Sequence, residues 1–427
     1  MLALVLLPLP AAADQDKPLT LVQLTDLALQ HNTKTRLAWD AFRASEAGVE
    51  LARAGYWPQI TGTLSGQRSR SLNFSGLPAA TQTRYGASVS LNYLLWDFGT
   101  RSGLLDEAGF QRDVASLNRN QAMQDVILLV EQSYFQVLAL QAVTEADRQS
   151  LQDAETNLDA ARERKNSGLA TVGDVYSAEA AAAGARFNLQ QAQGQLAVAR
   201  GQVAVAIGQS PDAGLQLAAW NQGIHPELPA QGVSALLEEA RSQRADLLAA
   251  RAQEHAAAAN LDATRGQGLP SINLSANAGQ TQVPGVATSS QFAALLSLNV
   301  PIFSGFGDQA AVHKAEAELD SAHDTSDDLR SQVELQVWQA YQNLKTAAAT
   351  LDSSAALLRS AQQASDVASA RYRNGLDSLL DLLSAQSTLA NARVQQVQAR
   401  LDWASAQAAL GHSVGGLQPP FSSMGLP

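Results

Sequence analysis

Cysteine is absent from all 427 residues. Its absence excludes disulfides, thiolate metal sites, a cysteine nucleophile and the lipid-modified N-terminal cysteine of bacterial lipoproteins. Aromatic residues reach only 5% against 46% hydrophobic residues, so the apolar content is mainly Ala, Leu and Val. That composition suits closely approaching helices better than one large layered core. Basic residues number 29 against 40 acidic ones, a net charge of −11, whereas a nucleic-acid binder needs a basic surface. Catalytic signatures are missing too: there is no Walker A, Gly-x-Ser-x-Gly or zincin pattern. Gly305-Phe306-Gly307 follows strand-like sequence and lacks the acidic partner of a dinucleotide loop. The histidines (His31, His225, His255, His313, His323 and His412) are scattered. His313-x-x-Glu316 and Asp320-x-x-His323 lack further ligands and read as solvated helix faces. No metal, cofactor or catalytic residue is expected. A ferritin-like carboxylate bundle would need Glu-x-x-His pairs that recur, and none do.

Long apolar runs are also wanting. A membrane-spanning helix needs about 20 apolar residues, and no stretch past the N-terminus reads as one. Residues 2–13, LALVLLPLPAAA, form a short apolar run closing on an A-x-A-type site at Ala11–Ala13. It reads as a signal peptide over 1–13, truncated because the first Lys or Arg is Lys17.

What is present is a duplication. RKNSGLATVGDVYSA (Arg164–Ala178) returns as RYRNGLDSLLDLLSAQ (Arg371–Gln386). Gly168 and Gly375 lie 207 residues apart (375 − 168), as do Asp174 and Asp381. In each copy an Ala/Gln-rich run stops at the Gly, a C-cap that tolerates positive φ. A second run begins at the Asp, read as an N-cap. Both copies are therefore tips of antiparallel helical hairpins. The first repeat, 14–211, holds two helices that break near His31–Asn32, with an apolar stripe at Leu37, Ala41, Ala44, Ala47 and Leu51 on the second. A strand hairpin (about 59–96), a long helix (about 99–165), a tip (166–174) and a return helix follow. Residues 212–231 are a Pro/Gly-rich linker. The second repeat, 232–415, has its hairpin at about 271–303 with a loop shorter by about five residues. Its long helix covers about 307–372, its tip 373–381, then a return helix, and 416–427 is a disordered tail.

The strands alternate strictly. Tyr85, Ala87, Val89, Leu91, Tyr93 and Leu95 share one face, with Ser88, Ser90 and Asn92 on the other. Aromatics mark the hairpin ends: Trp57, Tyr85, Tyr93 and Trp96 in the first repeat, Phe292 and Phe303 in the second. Strands of about ten residues with this alternation are typical of membrane β-barrels; one layer of a soluble sandwich shows the same pattern, but four strands amid so much helix have little to pack on. Four strands cannot close a barrel, since the smallest need about eight, and open edges cannot sit in lipid. Several chains must share one barrel. A 67-residue proline-free run from Gly99 to Lys165 would make a rod on the order of 100 Å.

GLATVGDV (Gly168–Val175), GLDSLLDLLSAQ (Gly375–Gln386), LLWDFGTR (Leu94–Arg101) and VPIFSGFG (Val300–Gly307) resemble TolC-family outer-membrane efflux proteins, over nearly all of Leu19–Gly415. The resemblance implies a mainly α fold with a membrane β-barrel portion: a homotrimer whose α-helical barrel continues a shared twelve-stranded β-barrel, four strands per chain. It implies the outer membrane of a Gram-negative bacterium, outer-membrane lipid around the strands and a long periplasmic extension. The function implied is a passive exit duct of tripartite efflux or type I secretion, partnered by a periplasmic adaptor and an inner-membrane pump. Asp381 matches the residue lining the narrowest aperture, and Ser384 stands where some members carry a second Asp. Tyr372 matches a Tyr that reaches the Asp matching Asp174 in the closed state, and Asp377 replaces a basic latch residue. Gly168, Leu169 and Thr171, with Gly375, Leu376 and Ser378, match the adaptor-docking tips. On spacing alone the two Asp residues serve equally well as plain helix caps, Tyr372 as helix packing and the two Gly as turn-makers. A periplasmic or secreted coiled-coil scaffold without a pore is the other reading of the whole chain.

Overall fold

The computed structural model describes residues 18–71, 80–218, 229 and 232–416. The signal peptide read at 1–13, the first hairpin loop, most of the linker and the tail from 417 onward lie outside the described residues. Elements run in the order α1 (Leu21–His31), α2 (Thr33–Ala54), β1 (Gln59–Ser71), β2 (Ala80–Trp96), α3 (Thr100–Asn166) and α4 (Val172–Ala206). The second half follows as α5 (Val233–Gln243), α6 (Ala245–Gln267), β3 (Ser271–Gln282), β4 (Ser289–Asn299), α7 (Gly307–Arg373) and α8 (Leu379–Val414). Helices α3 and α7 each have 67 residues and start 207 apart (307 − 100). The described residues divide into two compact units that cut across the repeats: those within 1–38, 119–245 and 330–427 form one, those within 39–118 and 246–329 the other. A helix on the order of 100 Å long is too long for a single core, so each long helix contributes to both units.

In the first unit, α1, α3 and α4 bury Leu21, Leu24, Ala28, Val126, Val130, Tyr134, Val137, Ala199, Val203 and Ile207 together. The 126–130–134–137 spacing is a single helical stripe. The second repeat buries Val333, Val337 and Leu344 at the matching positions of α7. Leu129, three residues after Val126 and next to Val130, points outward at 37% exposure. Helix α3 does prove long and apolar enough to cross a membrane by composition, against the expectation of no such stretch. Its stripe at Val126, Val130, Tyr134 and Val137 packs on α1 and α4. The start of the linker also belongs to this core. Leu217 pairs with Leu19 in a parallel bridge, and the Tyr134 hydroxyl donates to the Ala218 carbonyl at 2.9 Å.

The second unit carries a four-stranded antiparallel sheet in the order β1-β2-β3-β4. Register brings Ile60, Leu91 and Ala276 into line, then Val89 with Ala278, and Leu274 with Leu296. Directly opposed residues share a face, so the alternating aliphatics of all four strands form one apolar surface. It is bare: Leu64, Val89, Phe292, Leu296 and Leu298 are all exposed. A bulge at the end of β2 sets Trp96, rather than Leu95, opposite Ile272, because an extra residue flips the pleat. Strand β4 stops at Asn299, short of the expected 303; Pro301 has no N–H for the ladder. Phe303 therefore lies past the strand. The segments joining the strands, 72–79 and 283–288, differ by two residues rather than five, and shorter strands account for the remainder.

Helix α2 departs from expectation as well. Leu37 and Leu51 are exposed at 63% and 77%, while Thr35 and Val49 are buried. The helix has two apolar faces, and the protomer uses the one the sequence pattern did not favour.

Candidate functional site

The two tips lie within the first unit and are built alike. At the first, Gly168 takes φ +76 and at the second Gly375 takes φ +74. In each, two bonds tie off the helix end: Gly168 N–H to Lys165 O and Leu169 N–H to Arg164 O, then Gly375 N–H to Tyr372 O and Leu376 N–H to Arg371 O. This is the Schellman arrangement, which needs a left-handed residue and so favours glycine.

The return helices begin differently from the sequence expectation. Thr171 and Ser378 are the N-caps, and Asp174 and Asp381 sit three residues later as the reciprocal partners. Asp174 N–H donates to Thr171 Oγ1 at 3.1 Å, and Asp174 Oδ2 accepts from Thr171 N–H at 2.7 Å. Asp381 N–H donates to Ser378 Oγ at 3.3 Å, and Ser378 Oγ donates to Asp381 Oδ2 at 2.6 Å. A hydroxyl one turn ahead reaches the free N–H groups better than the Asp can, so the carboxylate closes the box from within the helix. Both carboxylates also favourably oppose the positive end of the helix dipole.

Beneath the tips, Ala154, Leu158, Ala161, Ala178, Ala182, Ala368, Tyr372, Leu379 and Leu382 pack into one core drawn from α3, α4, α7 and α8. Four alanine-rich helices can approach closely here, and polar ties join the repeats. Asn157 donates to Gln386, and Arg393 reaches Asp153 at 3.4 Å. Arg164, in the last turn of α3, lays its guanidinium 4.8 Å above the Tyr372 ring and donates from Nη1 to the Tyr372 carbonyl at 2.8 Å.

The Tyr372–Asp174 latch implied by resemblance is not made in this protomer. Asp174 is bonded within its capping box, and the buried Tyr372 hydroxyl has no hydrogen-bond partner among the described residues. Burial raises the Tyr372 phenol above its ordinary pKa, nearby Arg164 opposes this, and Asp174 adds to it. Asp377 pairs with Arg371 of its own hairpin at 2.8 Å. Ser384 lies exposed one turn below Asp381. Leu169 and Leu376 project from the turns at 70% and 68% exposure.

Around the sheet, Trp57, Tyr85, Trp96, Phe292 and Phe303 are well exposed and Tyr93 is half-buried. Sequence reasoning missed Arg101, whose side chain is only 13% exposed. It donates to the carbonyls of Gly55 (3.1 Å) and Leu94 (2.6 Å), pairs with Asp97 at 3.0 Å and lies 4.8 Å over the Tyr56 ring. That cluster locks β2 to the start of α3. At the same junctions Phe98-Gly99 and Gly305-Phe306 both have positive φ. Glycine and phenylalanine exchange places at matching positions of the two repeats. His323 bonds Glu254 at 3.1 Å, and that bond raises its pKa.

A bare apolar sheet with two open edges, joined to helical hairpins that end in capped tips, defines a class: outer-membrane channel proteins with long helical extensions. Residues 24–209 and 236–416 match the family described as outer membrane efflux protein, and the chain belongs to it. It is 30% identical over 395 residues to Protein CyaE of Bordetella pertussis, covering 91% of this chain and 82% of that protein. Among solved structures, the outer-membrane channel OprN superposes with a TM-score of 0.83 at 22% identity, over 93% of this chain and 90% of that one. VceC from Vibrio cholerae gives 0.81 at 22% identity, over 93% and 96%. The chain is an outer-membrane export channel protein with a periplasmic extension.

Proposed function

We propose that three copies of this chain close one β-barrel and one helical tunnel, forming the passive exit duct of a tripartite efflux or type I secretion system. The observation that carries this is the open sheet. Its aliphatic face lies bare, and β1 and β4 each have one edge unpaired among the described residues. Unpaired edges are not tolerated in lipid, so β4 of one copy pairs with β1 of the next. The aromatic residues at the strand ends anchor the barrel at the membrane interfaces. No catalytic step is assigned to the chain; energy comes from an inner-membrane pump through an adaptor that docks on the exposed Leu169 and Leu376 turns.

At the tips, three Asp381 carboxylates ring the periplasmic aperture. Their capping role and a pore role coexist, since a capped carboxylate still projects its charge. Like charges brought together attract counter-cations. Single-channel recording in planar bilayers tests both parts. The wild-type chain should conduct as a trimer, with multivalent cations added on the periplasmic side blocking it. Asp381→Ala should conduct with that block lost; an unchanged block would remove the ring, and an absence of any conductance would remove the duct.

A further inference from the structure

We propose that Arg164 is the residue that latches the second tip hairpin to the first, acting on the ring and carbonyl of Tyr372 rather than on its hydroxyl. The inference rests on the duct reading above, since it assigns the element that holds the aperture shut.

Arg164 and Arg371 occupy matching positions, each four residues before its tip glycine, yet they do different things. Arg371 turns within its own hairpin to Asp377. That pairing neutralises the acid which stands where a basic latch residue is expected. Arg164 crosses from α3 to α7. Its guanidinium stacks over the Tyr372 ring at 4.8 Å, and its Nη1 donates to the Tyr372 carbonyl at 2.8 Å. That same carbonyl already accepts the Gly375 N–H of the tip turn. One cation thus grips the end of α7 twice, through the ring face and through a second bond to a carbonyl at the negative end of the helix dipole.

The hydroxyl is a poor candidate for the same task. Tyr372 is 6% exposed, and its Oη has no partner among the described residues. Asp174, its expected acceptor, is held by Thr171 through two bonds. Moving α7 away from α3 would break the Arg164 contacts and leave the capping boxes intact. Arg164 is therefore a positioning residue for the gate, and its planar guanidinium matters because an ammonium cannot stack and donate in the same geometry.

The test uses full-length trimer and the natural absence of cysteine. Ser167→Cys with Asn374→Cys places one spin label on each exposed tip. Labelled chains are diluted with cysteine-free chains so that only distances within a protomer are read. Arg164→Ala should lengthen and broaden the label distance and raise the open population on the order of tenfold in bilayer recordings. Arg164→Lys should fall between Arg164→Ala and wild type. Tyr372→Phe, which keeps ring and carbonyl, should match wild type in both readouts. The latch is refuted if Arg164→Ala keeps the wild-type distance and conductance, or if Tyr372→Phe opens the tips as far as Arg164→Ala does. A wild-type trimer that never conducts refutes the duct reading instead, and the label distances still decide whether Arg164 holds the hairpins.

Discussion

At the scale of single residues, the same side-chain type performs different work in the two repeats because its neighbours differ. Arg164 stacks on an aromatic while Arg371 meets an acid. Glu131 is another case. It is 3% exposed beside the α1–α3–α4 core, and desolvation raises its pKa from 4.5 to about 7. The folded chain therefore keeps this proton to a higher pH than the unfolded chain does. Stability falls as pH rises from about 4.5 to about 7 and is flat for this group above that. Glu131→Gln, neutral at every pH, should raise the apparent melting temperature in detergent at pH 8, by an amount equivalent to ~2–3 kcal/mol. The advantage should vanish near pH 4. A difference between the two proteins that did not change with pH would show that ionisation is not the cause. Nothing in the sequence around 131 marks it out: one Glu in a helix that alternates apolar and polar residues looks solvated until α3 is packed.

Among elements, the sheet and its junctions depend on close approach. A Cβ added at Gly103 of α3 would lie 2.7 Å from the Ala263 nitrogen and 2.8 Å from its Cα and Cβ, on α6. The obstacle is largely helix backbone, which cannot swing aside as a long side chain would. Gly103→Ala should push α3 and α6 apart and destabilise the second unit by about 1–3 kcal/mol, read as faster hydrogen exchange across α6. Protection unchanged from wild type would mean the crossing has slack. The tips were largely legible beforehand, since Gly with a Thr or Ser and an Asp at fixed offsets has a local mechanism. What misled was the assignment of the cap to Asp174 and Asp381, because a hydroxyl three residues earlier and a carboxylate are both good caps in isolation. The bulge that turns Trp96 into line with Ile272 was not legible, because it arises from pairing with a strand nearly 180 residues away.

For the whole molecule, the sheet divides its residues between lipid and lumen. Val89 lies in line with Gly62 and Ala278 on the apolar face, and Ser88 lies with Thr63 and Gly279 on the polar one. An arginine on the lipid face near mid-strand costs about 2–4 kcal/mol, whereas a lumen position leaves it in water. Val89→Arg should sharply reduce the amount of folded trimer recovered from outer membranes, and Ser88→Arg should leave it near wild type. Equal recovery of the two would overturn the assignment of faces. The stripe of α2 at Leu37 and Leu51, exposed in the protomer, has the same bearing: apolar surface that one copy does not cover is available to the next.

Periodicity, turn residues and a 207-residue repeat sufficed to read, from the sequence alone, the long helices, the alternating strands and the paired tips. These are local properties, fixed by backbone propensity and by which side of a helix or strand a residue occupies. Only the tertiary structure decided which of two apolar faces α2 buries and where Arg164 reaches. Each of those outcomes depends on a partner distant in the chain, whose distance and angle no local pattern encodes.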